Sequence, residues 1–136
     1  LGAQEAARAT PDGYTLIYGN SITHALLPAT SKSLNYDPLK SFEAAGNVFW
    51  YSTLLVCNPK LPFGDVAGYI GYAKANPGKL NIATAGLGSG NHFSSELLSQ
   101  MAGIKVTHVP YKGNAPAVQD VMGGAADCIQ LSEARS

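Results

Sequence analysis

Charge is scarce in this 136-residue chain: Asp, Glu, Lys and Arg together make up 13% of it, about half the usual share. Nine Lys+Arg balance nine Asp+Glu, so the basic footprint of a nucleic-acid binder is missing and no nucleic-acid partner is expected. Cysteine is almost as rare. Cys57 and Cys128 stand 71 residues apart, which gives neither a C-x-x-C redox spacing nor the clustering of structural zinc. Two buried free thiols are expected, with an oxidising compartment left open. Methionine occurs only at Met101 and Met122. Leu1 is therefore not an initiator, and the chain is expected to be a processed product or a fragment whose targeting peptide is out of view. Long hydrophobic runs are absent too. Two charge-free stretches, Ala44 to Pro59 and Leu80 to Ser95, are 16 residues each and carry Gly, Asn, Ser or Thr, short of the roughly 20 apolar residues of a membrane helix. What remains is 46% apolar, enough to exclude disorder and to build one packed core.

The order of elements follows from the punctuation. Gly2 to Arg8 is Ala-rich and runs into the turn residues Thr10-Pro11-Asp12-Gly13, so it reads as the tail of a helix begun upstream. Tyr14 to Tyr18 reads as a strand ending at Gly19-Asn20-Ser21, and Ser31 to Phe42, with Tyr36-Asp37-Pro38, as surface loop. Val48 to Cys57, rich in Val, Leu, Thr and aromatics, predicts one or two buried strands closed by Asn58-Pro59. Beyond that boundary the pattern is regular. Val66, Ile70 and Ala73 predict a helix over Asp65 to Ala75, stopped by Asn76-Pro77-Gly78. Leu80 to Thr84 predicts a strand. Phe93, Leu97, Leu98 and Met101 predict an apolar stripe on a helix ended by Gly103. Val106 to Val109 reads as a strand, Pro116 to Met122 as a short helix and Asp127 to Leu131 as a last strand. This β-α-β-α-β alternation specifies an α/β fold with a mostly parallel sheet flanked by helices and right-handed crossovers.

The most informative constellation is strand Leu80 to Thr84, the Gly-rich stretch Gly86 to Asn91 and a helix from about His92. It sets backbone N–H groups at a helix N-terminus beside the carboxyl end of a strand, where the macrodipole favours an anion. Ser89 and Asn91 add side-chain donors, although the same residues serve equally as a helix cap and a tight turn. Gly86-Leu87-Gly88-Ser89-Gly90 is not G-x-G-x-x-G, because the third glycine would fall at Asn91, and no Lys follows to make a phosphate loop. No nucleotide cofactor is expected. Two residues to either side of Ser89 stand Leu87 and Asn91, where a nucleophile elbow has glycines. His24, His92 and His108 are too far apart for a local metal motif and have no Cys or carboxylate beside them, so no metal is expected. The scattered carboxylates suggest no acid–base pair. Gly19-Asn20-Ser21-Ile22-Thr23-His24 and Val109-Pro110-Tyr111-Lys112-Gly113 are further post-strand loops that read as cleft walls or, equally, as turns, caps and a solvated charge.

Five segments in series resemble the substrate-binding proteins of tripartite tricarboxylate transporters, the Bug family. They are Pro11-Asp12-Gly13-Tyr14-Thr15-Leu16; Tyr36-Asp37-Pro38 with Phe42; Asn76-Pro77-Gly78-Lys79-Leu80-Asn81; Thr84-Ala85-Gly86 with Gly88-Ser89 and His92; and Val109-Pro110-Tyr111-Lys112-Gly113 with Ala115-Pro116-Ala117. The resemblance implies a two-lobed, type II periplasmic-binding-protein fold that closes over a small carboxylate and delivers it to membrane permease subunits. Residues 1–57 would then be part of the first lobe and 58–136 much of the second. Its ligand-binding residues map to Ser21 and Thr23, joined by Asn20, in the first lobe, and in the second to Thr84, Ala85, Gly88, Ser89, Gly90, Asn91, His92 and Tyr111. Asn20, Ile22, Gly90 and Asn91 depart from the family's usual small residues, and Leu131 to Ser136 do not follow its pattern. Neutral donors and helix dipoles would hold the carboxylate in place of a buried cation, without a cofactor.

Two other readings are open. A small α/β hydrolase-like enzyme using Ser89 would lose all turnover in Ser89→Ala, where a binding protein would only weaken. A truncated product would expose apolar edges around Tyr14 to Tyr18 and Val48 to Cys57 and associate.

Overall fold

The computed structural model describes residues 2–31, 33–48 and 50–135. The chain divides into two compact units, Leu1–Asn47 and Val48–Ser136. The strand through Cys57 belongs to the second of these units, where it pairs along its whole length with the last strand.

In the first unit, helix α1 (Gly2–Arg8) leads into the Pro11-Asp12-Gly13 bend. The Asp12 carboxylate accepts from the Tyr14 amide at 3.0 Å there, and Gly13 takes a positive φ of 84°. The strand expected over Tyr14 to Tyr18 does not form. An isolated extended segment has no ladder to join, and no strand of this unit lies among the described residues; Tyr14 and Leu16 are instead 92% and 79% exposed. After Asn20 the chain winds into one π-helical stretch, Ile22–Leu26, and one α turn, α2 (Leu27–Thr30). Pro28 explains the wide turn: it lacks the N–H that would bond the His24 carbonyl, and its ring would collide with that carbonyl in a regular helix. The unit closes on a small aromatic cluster. His24 and Tyr36 meet Phe42 with ring centroids 5.1 and 5.7 Å apart, and the Tyr36 hydroxyl donates to the Thr23 carbonyl at 2.6 Å. Gly19 admits the His24 ring, since a Cβ at that position would lie 2.5 Å from it.

The second unit is built on a four-stranded sheet in the order β1-β4-β2-β3. β2 (Asn81–Thr84) runs parallel to both β3 (Thr107–Pro110) and β4 (Cys128–Arg135), and β1 (Trp50–Cys57) is antiparallel to β4. Between them lie α3 (Val66–Ala75), α4 (Gly90–Ala102) and α5 (Asn114–Gly123), which realises the expected α/β alternation. Asp65 caps α3 by accepting from the Gly68 amide at 2.7 Å, and Gly103 ends α4 at φ 62°. The sheet alternates as a two-faced strand array must. Ile82 and Cys128 face a core with Tyr69, Ala73, Leu80 and Ile104, while Ala83 and Ile129 face another with Ala117, Val121 and Ala126.

Three expectations need correction. β1 is a single strand at the sheet edge, not a buried one: it pairs with β4 alone among the described residues, so Tyr51, Leu54 and Val56 are exposed. Phe49 of that predicted strand lies outside the described residues. The stripe on α4 is also displaced. Leu97 and Met101 are exposed, and Ser95 and Ser99, one turn apart, are buried instead, because small side chains let the helix lie close to the sheet while Leu98 and Ala102 supply the apolar contact. Finally, Cys57 and Cys128 are not free thiols. They are register partners at the end of the β1–β4 ladder and form a disulfide across it, with Cα atoms 4.0 Å apart.

Candidate functional site

The strand order fixes where a site belongs. From β2 the chain passes through α4 to β3 on one side, and from β3 through α5 to β4 on the other. The order therefore reverses at β2, and the crevice beyond the carboxyl ends of such strands is the ligand position of open α/β sheets. A concavity of about 310 Å³ lies there, lined by Ala85, Ser89, Gly90, Asn91, Asn114, Gln130, Leu131 and Ser132.

Two helices begin at this concavity. The first-turn amides of α4, Gly90 and Asn91, have no acceptor within their own helix, and neither do those of Asn114 and Ala115 in α5. Both positive helix ends thus act on one place. The polar side chains tie the ends together. Asn91 Nδ2 donates to Asn114 Oδ1 at 3.0 Å, and Asn91 Oδ1 accepts from the Ala85 amide at 3.1 Å. The Ser89 hydroxyl lies 2.6 Å from both Asn91 Oδ1 and the Gly86 carbonyl, and accepts from the His92 amide at 3.4 Å as the cap of α4. The capping role and the site role of this loop are therefore one arrangement. Gly86 and Gly88, at φ 122° and 79°, allow its reversals.

Gln130 and Thr84 carry a second signal. Gln130 Oε1 and Thr84 Oγ1 are buried without a hydrogen-bond partner among the described residues. Gln130 lines the concavity, and a buried acceptor left unpaired costs about 1–3 kcal/mol. A donor group on a bound molecule, or a bridging water, would restore that energy. No lining residue carries a charge.

The sequence candidates divide into three groups. Ala85, Ser89, Gly90 and Asn91 line the concavity together. Thr84, Gly88, His92 and Tyr111 belong to the same unit but are not among its lining residues. Thr84 ends β2, the Gly88 amide donates to His92 Nδ1 at 3.3 Å, and the Tyr111 amide donates to the Thr84 carbonyl at 2.8 Å. The Tyr111 hydroxyl turns to Asp120 Oδ2 at 2.7 Å, and that bond, with burial and the carboxylate's charge, raises its pKa above 10.0. Asn20, Ser21 and Thr23 form the third group, within the first unit. Asn20 Oδ1 accepts from the Ile22 and Thr23 amides at 3.0 Å each, and Thr23 Oγ1 accepts from the Asn20 amide at 3.0 Å and lies 2.8 Å from His24 Nδ1. Asn114, Gln130, Leu131 and Ser132 escaped the sequence reading. Asn114 had a signal, a polar residue after Gly113 at a helix start; the β4 residues had none.

The model of the tripartite tricarboxylate transporter family receptor matches residues 1–135. The chain belongs to this family. A relative encoded in the gbd 5′ region of Cupriavidus necator is 39% identical over 91% of this chain and 37% of its own length. A solved structure described as a periplasmic transporter shares 40% identity at a TM-score of 0.77, covering 96% of this chain and 44% of that one. Two further solved structures hold acids. MatC of Rhodopseudomonas palustris, with bound malate, is 32% identical at a TM-score of 0.72, and an R. palustris protein with adipate is 32% identical at 0.68. Each of these two matches covers 96% of this chain, and 45% and 44% of the two relatives. The chain thus spans less than half the length of these relatives.

Proposed function

We propose that this receptor-family chain is part of an extracytoplasmic solute-binding protein that takes up a small carboxylate in the periplasm and hands it to the permease of a tripartite transporter. The observation that carries the reading is the convergence of two helix N-termini, α4 and α5, on an uncharged polar concavity at the strand-order reversal. Malate and adipate in two similar structures support the ligand class. No helix among the described residues is long and apolar enough to cross a membrane, consistent with a receptor that leaves the membrane step to other subunits. Release suits the design. Helix dipoles and neutral amides hold an anion without a fixed countercharge, so the emptied site leaves no stranded buried cation. Lobe boundaries near residue 57, and a ligand-binding role for Asn20, Ser21 and Thr23, are part of this proposal.

A binding protein rather than an enzyme is also the reading of Ser89. Its hydroxyl is engaged by Gly86, Asn91 and the His92 backbone, and among the described residues no imidazole hydrogen-bonds it. The test is calorimetric titration of the gene product containing these residues with four- to six-carbon dicarboxylates and their neutral diamides. Saturable binding of an acid, absent for its diamide and weakened at least tenfold by Asn114→Asp, supports the proposal. Equal binding of acid and diamide, or turnover of an ester abolished by Ser89→Ala, overturns it.

A further inference from the structure

Outside the concavity, the fold gathers two histidines that the sequence keeps apart. His92 and Glu96 stand one turn apart on α4, and His108 comes from β3, where it is the register partner of Ile82 on the sheet face that α4 covers. One ligand atom from each of the three lies within 4.8 Å of the others. The rings of His92 and His108 meet at 4.9 Å between centroids, and His108 Nδ1 is 3.1 Å from Glu96 Oε1. We propose that His92, Glu96 and His108 form a binding site for a borderline first-row dication of the zinc class, distinct from the carboxylate concavity.

Donor chemistry selects the ion. Two imidazoles and one carboxylate suit zinc and its neighbours rather than calcium or magnesium, which take oxygen ligands. Thiolates, the strongest competitors for such an ion, are removed: both cysteines are in the disulfide. Three protein ligands leave a fourth tetrahedral position open. Ligand atoms around such an ion stand about 3.3 Å apart at metal distances near 2 Å, so the triad closes by about 1.5 Å at most. His92 and Glu96 supply that movement, since Glu96 is 55% exposed and His92 is only half-buried.

His108 is prepared for the role by its surroundings. Its Nε2 is 3.0 Å from the hydroxyl of buried Ser95, a group that donates to one tautomer and accepts from the other. When Nδ1 takes the metal, Nε2–H donates to Ser95, the outer hydrogen bond that orients ligating histidines. Burial lowers the His108 pKa below 6.5, opposed by Glu96 and helped by His92. His92 has a matching consequence. Its Nδ1 accepts the Gly88 amide at 3.3 Å; ligation through Nδ1 displaces that bond, and ligation through Nε2 puts a proton on Nδ1 and breaks it too. Metal loading therefore releases the Gly88 N–H whichever nitrogen binds.

Titration of the 136-residue chain with Zn²⁺ by calorimetry, with amide and histidine NMR, tests this. Saturable binding of one ion, micromolar or tighter, is expected, with shifts of the Gly88 amide and the His108 ring. His92→Gln is expected to weaken it at least tenfold, and Glu96→Gln several-fold. Both are open positions whose folding is checked by the unchanged α4 amides, so the outcome does not depend on replacing His108. Zinc binding unaffected by His92→Gln, or none below millimolar zinc, overturns the proposal.

Discussion

The two units draw on similar residues and hold them by different means. In Val48–Ser136, backbone groups pair across four strands, and Ile82, Ala83, Cys128 and Ile129, which point to both faces of the sheet, are fully buried. In Leu1–Asn47 no described strand forms, and order comes from short-range devices. Asn20 and Thr23 exchange caps, Asp37 accepts from the Leu39 and Lys40 amides at 2.9 and 3.1 Å, and one aromatic cluster closes the chain. Local hydrogen bonds give a segment its shape, whereas non-local burial gives it stability. Aromatic and aliphatic residues such as Tyr14 and Leu16 become core only where a neighbouring strand supplies a ladder.

The sharpest way to break this contrast is to cut the disulfide. Its closed loop of about 70 residues makes Cys57→Ala with Cys128→Ala cost the second unit about 4 kcal/mol, read as a lower denaturation midpoint, with the first-unit aromatic resonances unchanged. Ile82→Ala comes next, at about 3 kcal/mol by the same denaturant titration, because its side chain is wholly enclosed between α3, α4 and the sheet. Phe42→Ala in the first unit is expected to cost only about 1–2 kcal/mol, since its ring is partly open to water; a cost equal to that of Ile82→Ala would erase the distinction. Ser89→Ala removes the α4 cap for about 1 kcal/mol, seen as faster amide exchange confined to the first turn of α4.

The smallest effect is alkaline. Burial raises the Tyr69 pKa above 10.0, so the folded state keeps a proton that the unfolded state gives up. Stability from this group is full below pH 10 and falls as the pH rises above it. Tyr111, bonded to Asp120, acts in the same direction. Melting temperatures taken between about pH 9 and about pH 11 should fall, and fall less in Tyr69→Phe.

The second unit was legible because its breakers are local. Asn76-Pro77-Gly78 stops α3 and Gly103 stops α4 where the residue types say they must. The stretch Gly86 to Asn91 was legible as a turn leading into a helix start for the same reason. What escaped depends on register and sheet order, which no window of sequence contains. Cys57 and Cys128 are 71 residues apart yet directly opposite. His92 and His108 meet only because α4 crosses beside β3. Gln130 reaches the concavity because β4 inserts next to β2 rather than beside β3. The α4 stripe misled for a different reason: closeness to a sheet rewards small side chains, so Ser95 and Ser99 displaced Leu97 and Met101.

The position of the disulfide gives the β1–β4 ribbon a direction of opening. The covalent clasp sits at the Cys57↔Cys128 end, and the opposite end is Trp50↔Arg135. Separation of the two strands can therefore start only at the Trp50 end and must halt at the clasp, like a zipper sewn shut at its base. Leu131 and Ser132, which wall the concavity, stand partway up this ribbon, opposite Leu54 and Thr53. That wall can loosen and reseat without the sheet losing its alignment, because the register is restored by the sewn end each time.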